Sequence, residues 1–82
     1  GEAEADLVAW EGNTLVIVEV KTRSNDAFGP PERAVGPEKL AHLHRAARTY
    51  ARKTDTPWER VRVDLVTVVV GDPPVIELFR NL

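Results

Sequence analysis

Three charged residues near the start of the chain have the types and spacing that metal-assisted phosphodiester hydrolysis requires. Glu19 and Lys21 end an apolar run at residues 15–18 and are two positions apart, so both side chains leave the same face of an extended strand. Asp6 lies upstream, separated from Glu19 by residues 7–18. Two carboxylates and the backbone carbonyl of Val20 are the oxygen ligands that Mg²⁺ or Mn²⁺ prefers. We therefore predict Asp6, Glu19 and Val20 as metal ligands, and Lys21 as the catalytic lysine that holds the attacking water or stabilises charge on the phosphate.

The same charges allow a structural interpretation. A carboxylate and an ammonium at the end of a buried strand are costly unless they are paired. A Glu19–Lys21 salt bridge without a catalytic role therefore remains an alternative. The pattern Glu-x-Lys is common by chance, and it gains specificity here from its place at the end of an apolar strand with Asp6 upstream.

The surrounding elements predict how these residues are positioned. Residues 4–10 and 15–21 read as two strands, and the turn residues at 11–13 join them into a β-hairpin that brings Asp6 towards Glu19. Apolar residues on both faces of the second strand predict a central strand that is covered on both sides. A long loop at residues 22–37 follows, pinned by Phe28 and Val35, and favours a substrate contact over a plain connector.

A helix and two more strands complete the predicted fold. Pro37 opens a helix of 17 residues that buries Leu40, Leu43, Ala47 and Tyr50. Residues 60–70 and 75–79 are strands, antiparallel to each other across the turn at residues 71–74. The predicted fold class is α/β: a small mixed sheet in the order strand, strand, helix, strand, strand, with the helix packed on one face.

The predicted helix is basic, whereas the chain as a whole has a net charge of -2. Residues 1–20 carry five acids and no base, while residues 37–53 carry five bases and one acid. A basic face of this kind could follow a phosphate backbone, and a simply solvated face is the alternative. The nucleic-acid contacts predicted on this helix are Lys39, His42, Arg45, Arg48 and Arg52. His42 and His44 have no partners at zinc spacing, and we predict that both lie on the surface.

Composition limits the remaining possibilities. The absence of cysteine excludes disulfides and thiolate metal sites. No apolar run approaches the roughly 18 residues of a membrane span, and no signal-peptide pattern is present, so we expect a cytoplasmic protein with no membrane partner. The 82 residues suit one small domain. The chain has no methionine, even at its first position, and its first strand comes early, so we expect a domain that lacks an N-terminal element.

The chain resembles the bacterial YraN-type family, which is itself similar to Holliday-junction-resolvase-like members of the PD-(D/E)XK nuclease superfamily. The residues that carry the resemblance are Glu4-Ala5-Asp6, the run at 15–23, Phe28-Gly29, Ala34-Val35, Lys39, Leu43 and the run at 62–66. The resemblance implies a restriction-endonuclease-like core, with Asp6 and Glu19 as metal ligands and Lys21 as the catalytic lysine. It adds Glu4 as a further ligand position, and Thr22, Arg23 and Lys39 as family positions that we assign to nucleic-acid binding. Family members also carry an N-terminal helix that is absent here, and Ala3 stands where they usually have glycine.

Three functional hypotheses follow. The first is a Mg²⁺- or Mn²⁺-dependent endonuclease that cleaves DNA, with branched DNA as a candidate substrate and a homodimer as a candidate assembly. The second is a non-catalytic module that binds nucleic acid, DNA in preference to RNA, on a nuclease fold. The third is a protein-interaction scaffold that uses an exposed strand edge.

Overall fold

The computed structural model describes residues 6–23 and 35–82, and the predicted Glu4 and Phe28 contacts lie outside these ranges. The described part contains four strands, one α-helix and a short 3₁₀ turn at Trp58–Arg60. In chain order they are β1 (Leu7–Glu11), β2 (Thr14–Arg23), α1 (Pro37–Lys53), β3 (Val61–Val69) and β4 (Val75–Phe79). The predicted mixed α/β class is therefore confirmed.

The four strands form one sheet in the order β1-β2-β3-β4. β1 and β2 are antiparallel and are joined by the two-residue turn Gly12–Asn13, where Gly12 adopts a positive φ of 59° that suits glycine. β2 and β3 are parallel, and α1 forms the crossover between them. β3 and β4 are antiparallel, as predicted from the turn between them. β2 is therefore an inner strand, flanked on both sides.

Helix α1 has the predicted bounds, with Pro37 in its first turn and the basic residues Arg52 and Lys53 in its last turn. Both arrangements favour the helix, because proline needs no amide partner there and cations interact well with the C-terminal end of the dipole. The Tyr50 carbonyl accepts both the Thr54 hydroxyl at 2.7 Å and the Thr54 backbone N–H at 2.9 Å, which closes the end of the helix.

The core lies between α1 and one face of the sheet. Leu15 and Ile17 from β2 and Leu65 from β3 pack against Leu43 and Ala47 of the helix. Val35, expected to pin the preceding loop, is buried in the same cluster. On the other face of β2, Val16 and Val18 are also buried, so this strand is covered on both sides as predicted.

Three predicted boundaries or positions were wrong. The first strand begins at Leu7, so Asp6, which was predicted to lie inside it, directly precedes it. β2 continues through Thr22 and Arg23, which were assigned to the loop, because these residues pair with Val68 and Val69 of β3. His44 is half-buried, not on the surface.

Two further features of the fold are the 3₁₀ turn before β3 and the character of the helices. Trp58–Arg60 forms the 3₁₀ turn, so β3 begins one residue later than predicted. None of the helices within 6–23 and 35–82 is both long and apolar enough to cross a membrane.

Candidate active site

Glu19 lies in the buried part of β2, where only 3% of it is exposed. Alternation along the strand puts Glu19 on the same face as Leu15 and Ile17, beneath helix α1. Its Oε2 atom has no hydrogen-bond donor among the described residues. A buried carboxylate is costly unless it is paired, and here the pairing falls to two lysines near Oε2.

Asp6 reaches the same place from the neighbouring strand. The register pairs Leu7 with Val18, so Asp6 stands beside Glu19 at the end of the hairpin. The backbone N–H of Val20 donates to Asp6 Oδ2 at 2.9 Å and fixes the carboxylate. The structure therefore brings Asp6 beside Glu19 as expected from the hairpin, and Val20 contributes its N–H to Asp6, whereas the predicted ligand was the Val20 carbonyl.

Two lysines supply positive charge to Glu19. Lys39, in the first turn of α1, has its Nζ 3.0 Å from Glu19 Oε2, although the approach lies outside hydrogen-bond geometry. The Nζ of Lys21 is 3.9 Å from the same oxygen, beyond hydrogen-bond distance. The closest ion pair of Glu19 is therefore with the helix, and Lys21 extends past it with 37% of its side chain exposed.

The two carboxyls have pKa values that shift in opposite directions. Burial raises the pKa of Glu19, and the hydrogen bond to Asp6 raises it further, while Lys39 opposes both. The pKa of Asp6 is lowered, mainly by the hydrogen bond from Glu19 and then by that from the Val20 N–H. Glu19 therefore keeps its proton to a higher pH than Asp6 does, and the titration belongs to the pair as a whole.

The donor set fits a hard divalent cation. A cation bound by Asp6 and Glu19 would compete with protons for both carboxylates and with the Lys39 ammonium for Glu19 Oε2. Magnesium commonly takes one or two carboxylates and keeps several waters, so two carboxylates suffice. Within 6–23 and 35–82, no group of three or more His, Asp or Glu side chains is arranged to hold a metal.

The predicted nucleic-acid residues are divided between two regions. Arg23 lies on the face of β2 that carries Glu19, while Thr22 points to the opposite face. His42 and Arg45 are exposed on α1 and contact each other at 3.2 Å. Arg48 and Arg52 are exposed in the second half of the helix, where both line a groove beside Trp58.

Two features of the molecule were not foreseen. Lys39 was assigned to nucleic-acid binding, and its close approach to Glu19 carried no local signal because it depends on how α1 packs on the sheet. Asp64 was not singled out, yet it is buried in β3 and accepts hydrogen bonds from Arg62 at 2.9 and 3.0 Å. The sequence did contain a signal for Asp64, because Arg62 and Asp64 are two residues apart on the same strand face, where opposite charges can pair.

The fold and the site define a small mixed α/β domain in which a buried glutamate and an exposed aspartate stand side by side, flanked by lysines. Residues 1–68 match the model of uncharacterised protein family UPF0102. The chain belongs to this family, which confirms the YraN-type resemblance.

Relatives from several bacteria carry the same description. A UPF0102 protein of Solibacter usitatus is 51% identical over 81 residues, which cover 99% of this chain and 61% of that protein. A UPF0102 protein of Pseudarthrobacter chlorophenolicus is 46% identical, with 99% of this chain and 63% of that protein covered. The chain thus spans less than two thirds of the length of these relatives. No solved structure matches the chain.

Proposed function

We propose that this chain carries the metal-binding and catalytic residues of a divalent-cation-dependent endonuclease that hydrolyses phosphodiester bonds in DNA. The observation that carries the proposal is the buried Glu19 carboxylate, which stands beside Asp6 and whose Oε2 meets the Lys39 ammonium outside hydrogen-bond geometry. Natural proteins satisfy nearly all buried polar atoms, and exceptions concentrate at ligand and catalytic sites.

Four residues of the site, Asp6, Glu19, Val20 and Lys21, have distinct roles. Asp6 and Glu19 hold Mg²⁺ or Mn²⁺, and the Val20 N–H keeps Asp6 turned towards Glu19. Lys21 lies farther from Glu19 than Lys39 does and is partly exposed, so its ammonium is available to a phosphate or to the attacking water. When bound, the cation lowers the pKa of water and neutralises charge that develops on phosphorus.

The reaction is a simple displacement. A bond forms between phosphorus and the oxygen of water, the bond from phosphorus to one sugar oxygen breaks, and that leaving oxygen takes up a proton. Lys39 balances the charge of Glu19 before the cation arrives. Exposed Arg45 and neighbouring basic residues of α1 are placed to hold the phosphate backbone.

The test is cleavage of junction, flap and duplex DNA in Mg²⁺ or Mn²⁺ by wild type, Asp6→Ala and Glu19→Gln. Glu77→Gln is the matched control, because Glu77 is an exposed carboxylate on β4, two strands away from β2. We expect cleavage by wild type and Glu77→Gln alone. Equal cleavage by all four proteins would remove the proposal, because the nuclease activity would then belong to a contaminant or to other residues.

A second candidate function is a non-catalytic module that binds nucleic acid. It is favoured by the exposed arginines of α1, Arg45, Arg48 and Arg52, which can meet phosphates without a metal. Binding by such a module would persist in EDTA, survive Glu19→Gln and weaken steeply as salt increases. The cleavage assay separates the two candidates.

A further inference from the structure

Trp58 is a large aromatic side chain that the fold leaves 48% exposed. It follows Pro57, five residues after α1 ends at Lys53, and it lines an open groove of about 660 Å³ together with Arg48 and Arg52. A second, smaller groove shares Trp58 and Arg48 and continues past His44. The indole therefore stands between two adjoining depressions, beyond the half of the helix that contacts Glu19.

The surroundings of Trp58 are basic. Residues 45–60 carry five arginines or lysines and two acids, in a chain with a net charge of -2. The Arg48 guanidinium lies over the indole at 5.4 Å from the ring centroid, and Asp55 is an acidic member of the groove wall. An aromatic ring with flanking arginines is the combination with which proteins hold single strands, since the ring stacks a base while the cations meet phosphates.

We infer that the Trp58 groove binds an unpaired base of a nucleic acid, with Arg48 and Arg52 on the adjoining phosphates. Base pairing and stacking in a continuous duplex keep the flat faces of the bases away from a protein side chain, so the groove selects a strand with unpaired nucleotides. This inference rests on the proposed function in one respect, that α1 faces nucleic acid. It adds a substrate feature, namely single-stranded segments with unpaired bases.

The Trp58 groove lies farther along helix α1 than the end of the helix that contacts Glu19. Lys39 and Arg48 are nine residues apart in α1, which is about 14 Å along the helix axis. That length corresponds to about four base-pair steps of duplex. Lys39 contacts Glu19 while Arg48 contacts Trp58, so α1 connects the two sites.

The chain offers a matched control in its other tryptophan. Trp10 lies in β1 and is 55% exposed, an exposure close to that of Trp58. Among the described residues, no arginine or lysine is stacked on Trp10, whereas Arg48 lies over Trp58. Arg80 serves as the control arginine, since it is exposed and reaches Glu11 at 3.6 Å.

The experiment measures binding in EDTA, so that no cleavage occurs. A fluorescein-labelled 12-nucleotide thymidine strand and a fully paired duplex of equal length are titrated by anisotropy with wild type, Trp58→Ala, Trp58→Phe, Trp10→Ala, Arg48→Gln and Arg80→Gln. Tryptophan emission of the Trp10→Phe protein, which reports Trp58 alone, is followed in the same titrations. Circular dichroism confirms that each exposed-site variant is folded.

We expect Trp58→Ala to weaken binding of the thymidine strand about tenfold, and Trp58→Phe to weaken it about two- to threefold because a smaller ring still stacks. Trp10→Ala and Arg80→Gln should bind as wild type does, and the single strand should quench Trp58 more than the duplex. Arg48→Gln should weaken binding and reduce its salt dependence. Equal affinity of Trp58→Ala and Trp10→Ala, or unchanged Trp58 emission at saturation, would overturn the inference.

The outcome is independent of cleavage. A wild-type protein that cleaves DNA but shows no loss with Trp58→Ala keeps the proposed function and overturns the groove. A protein that never cleaves but loses single-strand binding with Trp58→Ala supports the groove and removes the nuclease.

Discussion

Glu19 and Asp64 are carboxylates on neighbouring strands, both almost completely buried, at 3% and 2% exposed. Each belongs to an opposite-charge pair two residues apart, Glu19 with Lys21 and Arg62 with Asp64. In β3 the pair closes, since Arg62 donates to both oxygens of Asp64 and the Asn81 N–H adds a third donor at 3.0 Å. In β2 the Glu19–Lys21 pair makes no hydrogen bond, because the Lys21 Nζ stays 3.9 Å from Glu19 Oε2.

This difference separates a structural carboxylate from a candidate functional one. Asp64 has partners for both oxygens, and the pKa of Arg62 is raised mainly by its hydrogen bonds to Asp64. Glu19 faces another carboxylate, has a raised pKa and keeps one oxygen without a hydrogen bond. Buried charges that stabilise a fold are paired and hydrogen-bonded, whereas strained ones are retained where a ligand completes them.

The largest effect expected on this comparison is loss of cleavage in Glu19→Gln. The substitution keeps the shape of the side chain and removes a charged ligand, and a bound cation contributes several kcal/mol of transition-state stabilisation, so the rate should fall about a thousandfold. The free energy of unfolding without metal should stay equal or rise, because a buried charge is removed. A cleavage rate within tenfold of wild type would contradict the functional interpretation of Glu19.

The converse variant, Asp64→Asn, should act on stability instead. It leaves the Arg62 guanidinium, which is 19% exposed, without its main partner, and we expect the free energy of unfolding to fall by about 2–4 kcal/mol in urea denaturation. Cleavage per folded molecule should be unchanged below the unfolding transition. The double variant Arg62→Met, Asp64→Leu should lose less than the sum of the single variants, because no unpaired charge remains.

Much of the fold and part of the site were predictable from the sequence. The bounds of α1 and the order of the strands followed from local apolar periods, and the meeting of Asp6 with Glu19 followed from the predicted hairpin with turn residues 11–13. The role of Lys39 was not predictable, because its distance from Glu19 depends on tertiary packing of α1. The sequence also does not distinguish the Glu19–Lys21 pair from the Arg62–Asp64 pair, because both have the same spacing. Asn81, whose N–H also donates to Asp64, comes from the distant end of the chain.

A smaller effect should distinguish the two lysines. Lys39 lowers the pKa of Glu19 from 3.0 Å, while Lys21 lies farther away at 3.9 Å. Lys39→Gln should therefore raise the pKa of Glu19 more than Lys21→Gln does, as measured by carboxyl ¹³C NMR titration without metal. Lys21→Gln should instead impair cleavage more, since we assign Lys21 to the reacting phosphate. The reverse order in both measurements would exchange the roles of the two lysines.

The smallest effect is a pH dependence of stability. The pKa of Glu19 is raised above its ordinary 4.5, so protonation stabilises the fold: this contribution is complete below pH 4.5 and is lost as pH rises through the folded pKa. Asp6 has a lowered pKa and acts in the opposite sense, contributing above pH 3.8 and losing that contribution as pH falls through its folded value. Unfolding of wild type and Glu19→Gln in urea, compared from about pH 8 to 4.5, should show wild type gaining relative stability as pH falls. A stability difference between the two proteins that is independent of pH would contradict the raised pKa of Glu19.

The most direct measurement is Mn²⁺ binding to the metal-free protein, by calorimetry in two buffers of different ionisation enthalpy. We expect one Mn²⁺ site per chain in wild type and in folded Asp64→Asn. Binding should release protons when the pH is near or below the pKa of Glu19. Glu19→Gln and Asp6→Ala should lose this site. Binding of Mn²⁺ to Glu19→Gln with wild-type affinity and wild-type proton release would contradict the central claim that the Asp6–Glu19 pair is the cation site.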